Sequence, residues 1–233
     1  VTRMELVGSG READVFALDS GRVLRRYRNG AGAGAEAEMM AYLGGLGFPV
    51  PRVFEVSGAD MILERLDGPT MLGALGDGRL TMAEGAGILA DLQRRLHGLP
   101  ARLARQDGDR ILHRDLHPDN VMLTTRGPVV IDWHNAAEGP PAVDVCLTAV
   151  ILAQVAAAPD HPHAAGAAAF LTSFLALTGT AMPEALAEAI EIRRADPALT
   201  PAESETLAAT VTPLIRAALP APLPPSSPPP SAG

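Results

Sequence analysis

The sequence of 233 residues contains no lysine; all 19 of its basic side chains are arginine. Together with an abundance of Ala, Gly and Pro, this reads as a GC-rich coding bias, but wherever chemistry would use lysine the chain must use arginine. A single cysteine, Cys146, excludes an internal disulfide, and no Cys/His set has zinc-finger spacing. Positive charge is also short. Nineteen basic side chains against 27 acidic ones give −8, with a pI near 5.2. Proteins that live on nucleic-acid phosphates carry the opposite sign, so nucleic acid is not the expected partner. No apolar run approaches the roughly 20 residues of a membrane span. The best candidate, residues 145–158, is too short and carries Gln154. Residues 1–10 lack the basic flank and apolar run of a signal peptide. The expectation is a soluble cytoplasmic protein with no membrane partner.

What is present suits a globular chain. Apolar residues make up 47% and charged residues 20%, and 24.2 kDa suffices for one large domain or two lobes sharing a cleft. The first 66 residues read as β-rich with one helix. Short apolar runs at 5–6, 14–18 and 22–27 are separated by Gly8-Ser9-Gly10 and by Asp19-Ser20-Gly21, the latter a hairpin signal. Residues 36–46 are helical, with Met39, Met40, Leu43 and Leu46 sharing a face until Pro49 and Pro51 end the pattern. Strands follow at 52–56 and 61–66. Beyond Gly68 helices dominate. Thr81 and Glu84 form a capping box ahead of Ile88, Leu89, Leu92 and Leu96, with Gly98 at the C′ position. Further helices are expected at 143–157, 164–177, 183–195 and 201–218, the last opened by the capping box Thr200/Glu203. The tail 220–233 holds seven of the 21 prolines, offers nothing to bury, and reads as disordered.

The chemistry concentrates in residues 111–133. His113 and Asp115 are followed five residues later by Asn120, and the strand 129–131 ends on Asp132. His-x-Asp-x-x-x-x-Asn followed by an apolar strand and Asp is the constellation of phosphoryl transfer. One carboxylate takes the proton of an attacking hydroxyl. A second carboxylate and an amide oxygen supply hard ligands for Mg²⁺.

These residues resemble the aminoglycoside phosphotransferase and choline kinase-like family, which shares the protein-kinase fold, and the resemblance runs from about Gly8 to Leu152. It implies an α+β, bilobal architecture: an N-lobe over 1–66 that is a small β-sheet with one helix, a mainly helical C-lobe over 67–219, and the tail 220–233. It implies ATP and Mg²⁺ as cofactors and a small-molecule hydroxyl acceptor as partner. Asp115 would be the catalytic base, with Asn120 and Asp132 as metal ligands. Glu64 and Leu66 would offer the hinge carbonyl and amide to adenine, and Gly8, Ser9 and Gly10 would form the loop over the phosphates. His113 would orient the catalytic loop, Asp144 would cap a helix and brace that loop, and Trp133 would pack beneath the metal site.

Two departures from the family stand out. Arg25 occupies the place of the phosphate-binding lysine, with Glu36 as its expected partner, and guanidinium is a forked, bulkier group than ammonium. Either Arg25 clamps phosphate with altered geometry, or turnover is impaired and the chain is a nucleotide-binding pseudokinase. Arg114 stands where the small-molecule family usually has Gly, giving the His-Arg-Asp form of protein kinases. Asp132 and Asp144 are twelve residues apart and nothing between them is Ser, Thr or Tyr, so a phospho-regulated activation segment, and with it a protein kinase, is disfavoured. Glu138, Asp160, Glu184, Glu188 and Glu191 would either receive a cationic acceptor or form solvated surface.

Overall fold

The structure, a computed structural model, describes residues 4–10, 12–28, 33–179, 183–197 and 199–220. The expected disordered tail, apart from Pro220, lies outside the described residues.

Five strands make one antiparallel sheet in the order β1-β2-β3-β5-β4: β1 (Glu5–Ser9), β2 (Ala13–Ala17), β3 (Arg22–Tyr27), β4 (Val53–Ser57) and β5 (Asp60–Glu64). The Asp-Ser-Gly turn between β2 and β3 is closed by the Gly21 amide donating to Asp19 Oδ1 at 2.8 Å, the local bond that makes Asp a turn former. Gly8 and Ser9 were expected in a loop, yet they extend β1 opposite Val15 and Asp14. The Ser9 hydroxyl donates to Asp14 Oδ1 at 2.7 Å and the Gly10 amide to Ala13 O at 2.9 Å, so pairing continues to the tip.

Helix α1 (Gly34–Gly45) buries Met39, Met40 and Leu43, whereas Leu46, assigned to the same face, is its C-cap and 41% exposed. On the same buried face lies Glu36, a carboxylate at 5% exposure that packing alone would not tolerate.

The remaining chain is helical around a buried rod. Helix α2 (Met71–Gly76) was not anticipated, because its Leu-Gly-Ala-Leu-Gly sequence reads as loop; Thr70 starts it by accepting from the Gly73 amide at 3.1 Å. Helix α3 (Met82–His97) carries both reciprocal bonds of the Thr81/Glu84 capping box. Helix α4 (Pro141–Ala157) runs through the centre, with every residue from Val143 to Ala153 buried except Val145. Around it pack α5 (Ala164–Thr178), α6 (Pro183–Arg194) and α7 (Pro201–Ala218), and α5 also lies along α3. Among the described residues no helix is long and apolar enough to cross a membrane.

Two short antiparallel ribbons hold the segments between sheet and helices. In one, β6 (Arg110–Leu112) pairs with β9 (Ala137–Gly139); in the other, β7 (Val121–Thr124) pairs with β8 (Gly127–Val130). The loop from His113 to Asn120 is thereby pinned at both ends, as is the stretch carrying Asp132. The chain leaving β5 is fastened to β7 at Gly68, whose φ is +119° and where a Cβ would stand 2.1 Å from Leu123 O. The Leu123 amide donates to Pro69 O at 2.9 Å in the same place.

Candidate active site

The site is built around a buried arginine. Arg25 projects from β3 and is 13% exposed at its side chain. Its Nη1 donates to Glu36 Oε1 at 3.0 Å and its Nη2 to Asp132 Oδ1 at 2.5 Å. The guanidinium fork thus bridges sheet, α1 and the segment after β8. Burial opposes the Arg25 charge, but the Glu36 and Asp132 carboxylates overcome it and raise the pKa. Glu36 is pushed up, chiefly by burial and against the pull of Arg25. Asp132 is held down, because Arg25 outweighs the burial that would raise it. Glu36 Oε1 also accepts from the Trp133 amide at 3.0 Å, while Oε2 is buried without a partner. Asp132 itself has φ +65°, a left-handed conformation that Asp tolerates better than most residues.

The catalytic-loop candidates hang from Asp144. This fully buried carboxylate accepts from the His113 amide at 3.2 Å, the Arg114 amide at 2.7 Å and His97 Nε2 at 3.0 Å. Burial alone would raise its pKa; the His97 bond and the amides hold it below the ordinary carboxylate range. Asp144 does not cap α4, as had been expected. Its place is the first turn of a helix whose N-cap is Pro140, and its oxygens face the neighbouring loop instead of the helix's own amides. The anchored Arg114 amide belongs to a residue at φ +66°, where a glycine would be unstrained. His113 is completely buried: Nε2 lies 3.0 Å from Ile131 O and Nδ1 accepts from the Asp115 amide at 3.3 Å, which fixes the Nε2-protonated tautomer. Trp133 packs against this imidazole at 4.6 Å between ring centroids with the rings tilted by 59°, and meets Phe48 edge-on.

Asn120 Nδ2 donates to Asp115 O at 2.8 Å and lies 3.5 Å from Asp115 Oδ2. With the amide nitrogen committed, Oδ1 is left to face a cation. Asp132 likewise has one oxygen on Arg25 and one to offer. These are hard oxygen donors, and two protein ligands completed by phosphate and water is the way Mg²⁺ is commonly held. Among the described residues no three His, Cys, Asp or Glu side chains gather into a metal cage. The donor set fits Mg²⁺ with a nucleotide better than a stand-alone metal.

Structure brings together Arg25, Glu36 and Asp132, and separately His113, Asp115, Asn120 and Asp144. The other candidates lie apart from these bonded groups. Glu64 ends β5 with its carboxylate accepting from Arg126 Nη2 at 2.7 Å and the Arg52 amide at 3.1 Å; the Leu66 amide has no acceptor among the described residues. Ser9 and Gly10 engage Arg28 and Asp14, and Gly8 pairs with Val15. Their hairpin reaches the site through Glu12, whose Oε2 lies 2.9 Å from His134 Nε2. Sequence reasoning missed His117, His97 and Arg193. Burial pushes the His117 pKa down although Asp115 and Asp119 pull it up. Arg193, on α6, places Nη1 3.6 Å from Asp115 Oδ1. No spacing signal could have found it, since α6 is separated from the loop by two helices.

A sequence model of the phosphotransferase enzyme family matches residues 3–111 and 88–183. No curated protein matches the chain. Among solved structures, an aminoglycoside-3'-phosphotransferase of type VIII is 20% identical over 79% of this chain and 90% of that one, with a TM-score of 0.56. The ADP-bound aminoglycoside phosphotransferase APH(2'')-Ib is 14% identical, covering 93% of both chains at a TM-score of 0.56. Amicoumacin kinase hAmiN, in complex with AMP-PNP, Ca²⁺ and amicoumacin, is 13% identical over 93% of this chain and 90% of that one, again at 0.56. These likenesses establish the kinase-like fold.

Proposed function

The chain belongs to the phosphotransferase enzyme family, which acts on hydroxyl groups of small molecules, and on that premise we propose that it transfers the γ-phosphoryl group of ATP with Asp115 as the base. The observation that carries this reading is the Arg25 bridge. Glu36 holds a cation beside the Asp132 carboxylate, where polyphosphate with its metal would need positive charge, and the group is assembled from three elements far apart in sequence. Nucleotide seen in the complexes of similar folds supports the same choice.

The residues divide the work as follows. Asp115 accepts the proton of the acceptor hydroxyl as its oxygen bonds to the γ-phosphorus and the bond from phosphorus to the β–γ bridging oxygen breaks, leaving ADP. Asp144 and His113 fix the backbone leading into Asp115 and Asn120 Nδ2 holds its carbonyl, so the carboxylate is positioned before substrate arrives. Arg25 faces the phosphates with Glu36 holding its fork. Asn120 Oδ1 and Asp132 would hold Mg²⁺, which when bound supplies charge neutralisation on the phosphates. The Leu66 amide is the free donor for an adenine ring nitrogen, and Gly8 to Gly10 cover the phosphates from above.

One observation favours a second reading, nucleotide binding without turnover. Arg25 already occupies one oxygen of Asp132, and a guanidinium is a harder partner to displace than an ammonium. Calorimetry with MgATP tests both. Wild type should bind MgATP, and Asp132→Ala should lose the Mg²⁺-dependent part. Equal MgATP affinity in the two proteins would refute the site; binding without phosphoryl transfer to any acceptor would select the second reading.

A further inference from the structure

Helix α6 offers the Asp115 side an arginine where an amino sugar would need a carboxylate. Ala185, Ala189 and Ile190 form its buried face. Arg193, four residues after Ala189 and three after Ile190, shares that face, whereas Glu184, Glu188 and Glu191 are exposed on the opposite side. The acidic stripe of α6 therefore points away from the catalytic loop. The other acidic candidates are also unsuited to greet a cation. Glu138 uses both oxygens on the Arg102 and Leu103 amides, each at 2.7 Å, and Asp160 is exposed in the turn between α4 and α5.

Arg193 is held in place. Its Nε donates to Gln154 Oε1 of α4 at 2.8 Å, its Nη1 to Asp196 Oδ2 at 2.7 Å, and its side chain is 18% exposed. Nη1 also lies 3.6 Å from Asp115 Oδ1. Nη2 donates to nothing among the described residues, so Arg193, whose Nη1 lies nearest the base, keeps unspent N–H groups. Asp196, the carboxylate nearest to them, is already engaged by Arg193. A polycation would bring ammonium donors to a place where Arg193 already supplies the donors and already holds Asp196 and approaches Asp115, so it would meet the guanidinium as a like charge competing for the same carboxylates.

We propose that Arg193 sets the acceptor class: the site takes a hydroxyl compound presenting oxygen acceptors, neutral or anionic, next to the reactive hydroxyl, and rejects polycationic amino sugars. This rests on the phosphotransferase reading above and sharpens it, since it separates the chain from the aminoglycoside substrates of several proteins that share its fold. The guanidinium would hold the acceptor's oxygen while Asp115 takes the hydroxyl proton.

The test is an ADP-release assay, with product confirmed by mass spectrometry, on three sets of acceptors: neutral polyols and sugars, hydroxy acids, and polycationic aminoglycosides. Wild type should show a kcat/KM at least about tenfold higher for one of the first two sets than for any aminoglycoside, and which set leads distinguishes a neutral from an anionic acceptor. Arg193→Gln should raise the KM of the preferred acceptor about tenfold or more while the KM for ATP is unchanged. Arg193→Glu should move the ranking toward aminoglycosides by a similar factor. Wild type preferring an aminoglycoside would overturn the proposal and leave the phosphotransferase reading intact, whether or not the variants fold. An unchanged acceptor KM in a folded Arg193→Gln would overturn it as well. Failure to phosphorylate any of the three sets, with no MgATP binding, would overturn the underlying reading together with it.

Discussion

Replacing Asp144 should unfasten the loop that carries Asp115 from the protein's core. The carboxylate is completely buried and accepts from three donors: the His113 and Arg114 amides and His97 Nε2. Asp144→Ala leaves two backbone amides and an imidazole facing a void. An orphaned buried donor costs about 1–3 kcal/mol, more where its acceptor was a charge, so losing the shared acceptor of three should cost about 3–5 kcal/mol in total. At about 2–4 °C per kcal/mol for a chain of this size, the melting temperature should fall by about 6–20 °C. Asp144→Asn should be milder. Its one carbonyl can keep the Arg114 amide, and its NH₂ can face His97 if that ring changes tautomer, but the His113 amide then meets a donor. Acid should mimic the substitution. Because the folded-state pKa lies below the ordinary value of 3.8, the carboxylate's contribution is complete above about pH 4 and is lost as pH falls through the folded pKa. Thermal melts of the three proteins at pH 7, with turnover measured alongside, give the comparison. If Asp144→Ala melted within 2 °C of wild type at undiminished turnover, the idea that Asp144 braces the loop would be wrong.

Gly68→Ala should destabilise by about 2 kcal/mol or more, since the new Cβ meets the Leu123 carbonyl at 2.1 Å and the backbone is left-handed there; a denaturant melt matching wild type would contradict the clamp. Arg25→Ala leaves Glu36 buried without its cation and should cost about 3–5 kcal/mol as well as MgATP affinity, whereas Arg25→Lys retains the charge and should retain most of both; a silent Arg25→Ala would show the phosphate clamp to be elsewhere. The Cys146 thiol, pushed up to about 11 by burial, should be a thiolate in only ~10⁻³ of molecules at pH 8 and should react with a disulfide reagent only on unfolding; prompt native-state labelling would refute its burial.

The elements that sequence made legible are those with local signals. Capping boxes at Thr81 and Thr200 set the starts of α3 and α7, and the Asp-Ser-Gly turn set the β2–β3 hairpin. Helix α2 was hidden because its glycines carry no periodic signal, and its stability comes from Thr70 and from packing Met71, Ala74 and Leu75. Gly8, Ser9 and Gly10 were read as a break, while pairing with β2 carries the strand through Gly8 and Ser9. At the site, the motif residues were visible because their spacing along one loop is fixed by the chemistry. Arg114 illustrates the limit: the sequence shows an unusual arginine, and only the φ of +66° explains why a glycine would sit there without strain. His97, His117 and Arg193 reach the loop by tertiary packing alone, with no local pattern to betray them.

The most direct measurement is transfer of radiolabelled γ-phosphate from ATP to a hydroxyl acceptor in the presence of Mg²⁺, for wild type and Asp115→Asn at equal nucleotide saturation. Wild type should label the acceptor, and Asp115→Asn should bind MgATP as well as wild type while transferring label slower by about 10²-fold or more, the scale set by losing a general base. Equal transfer rates in the two proteins would contradict the assignment of Asp115 as the base.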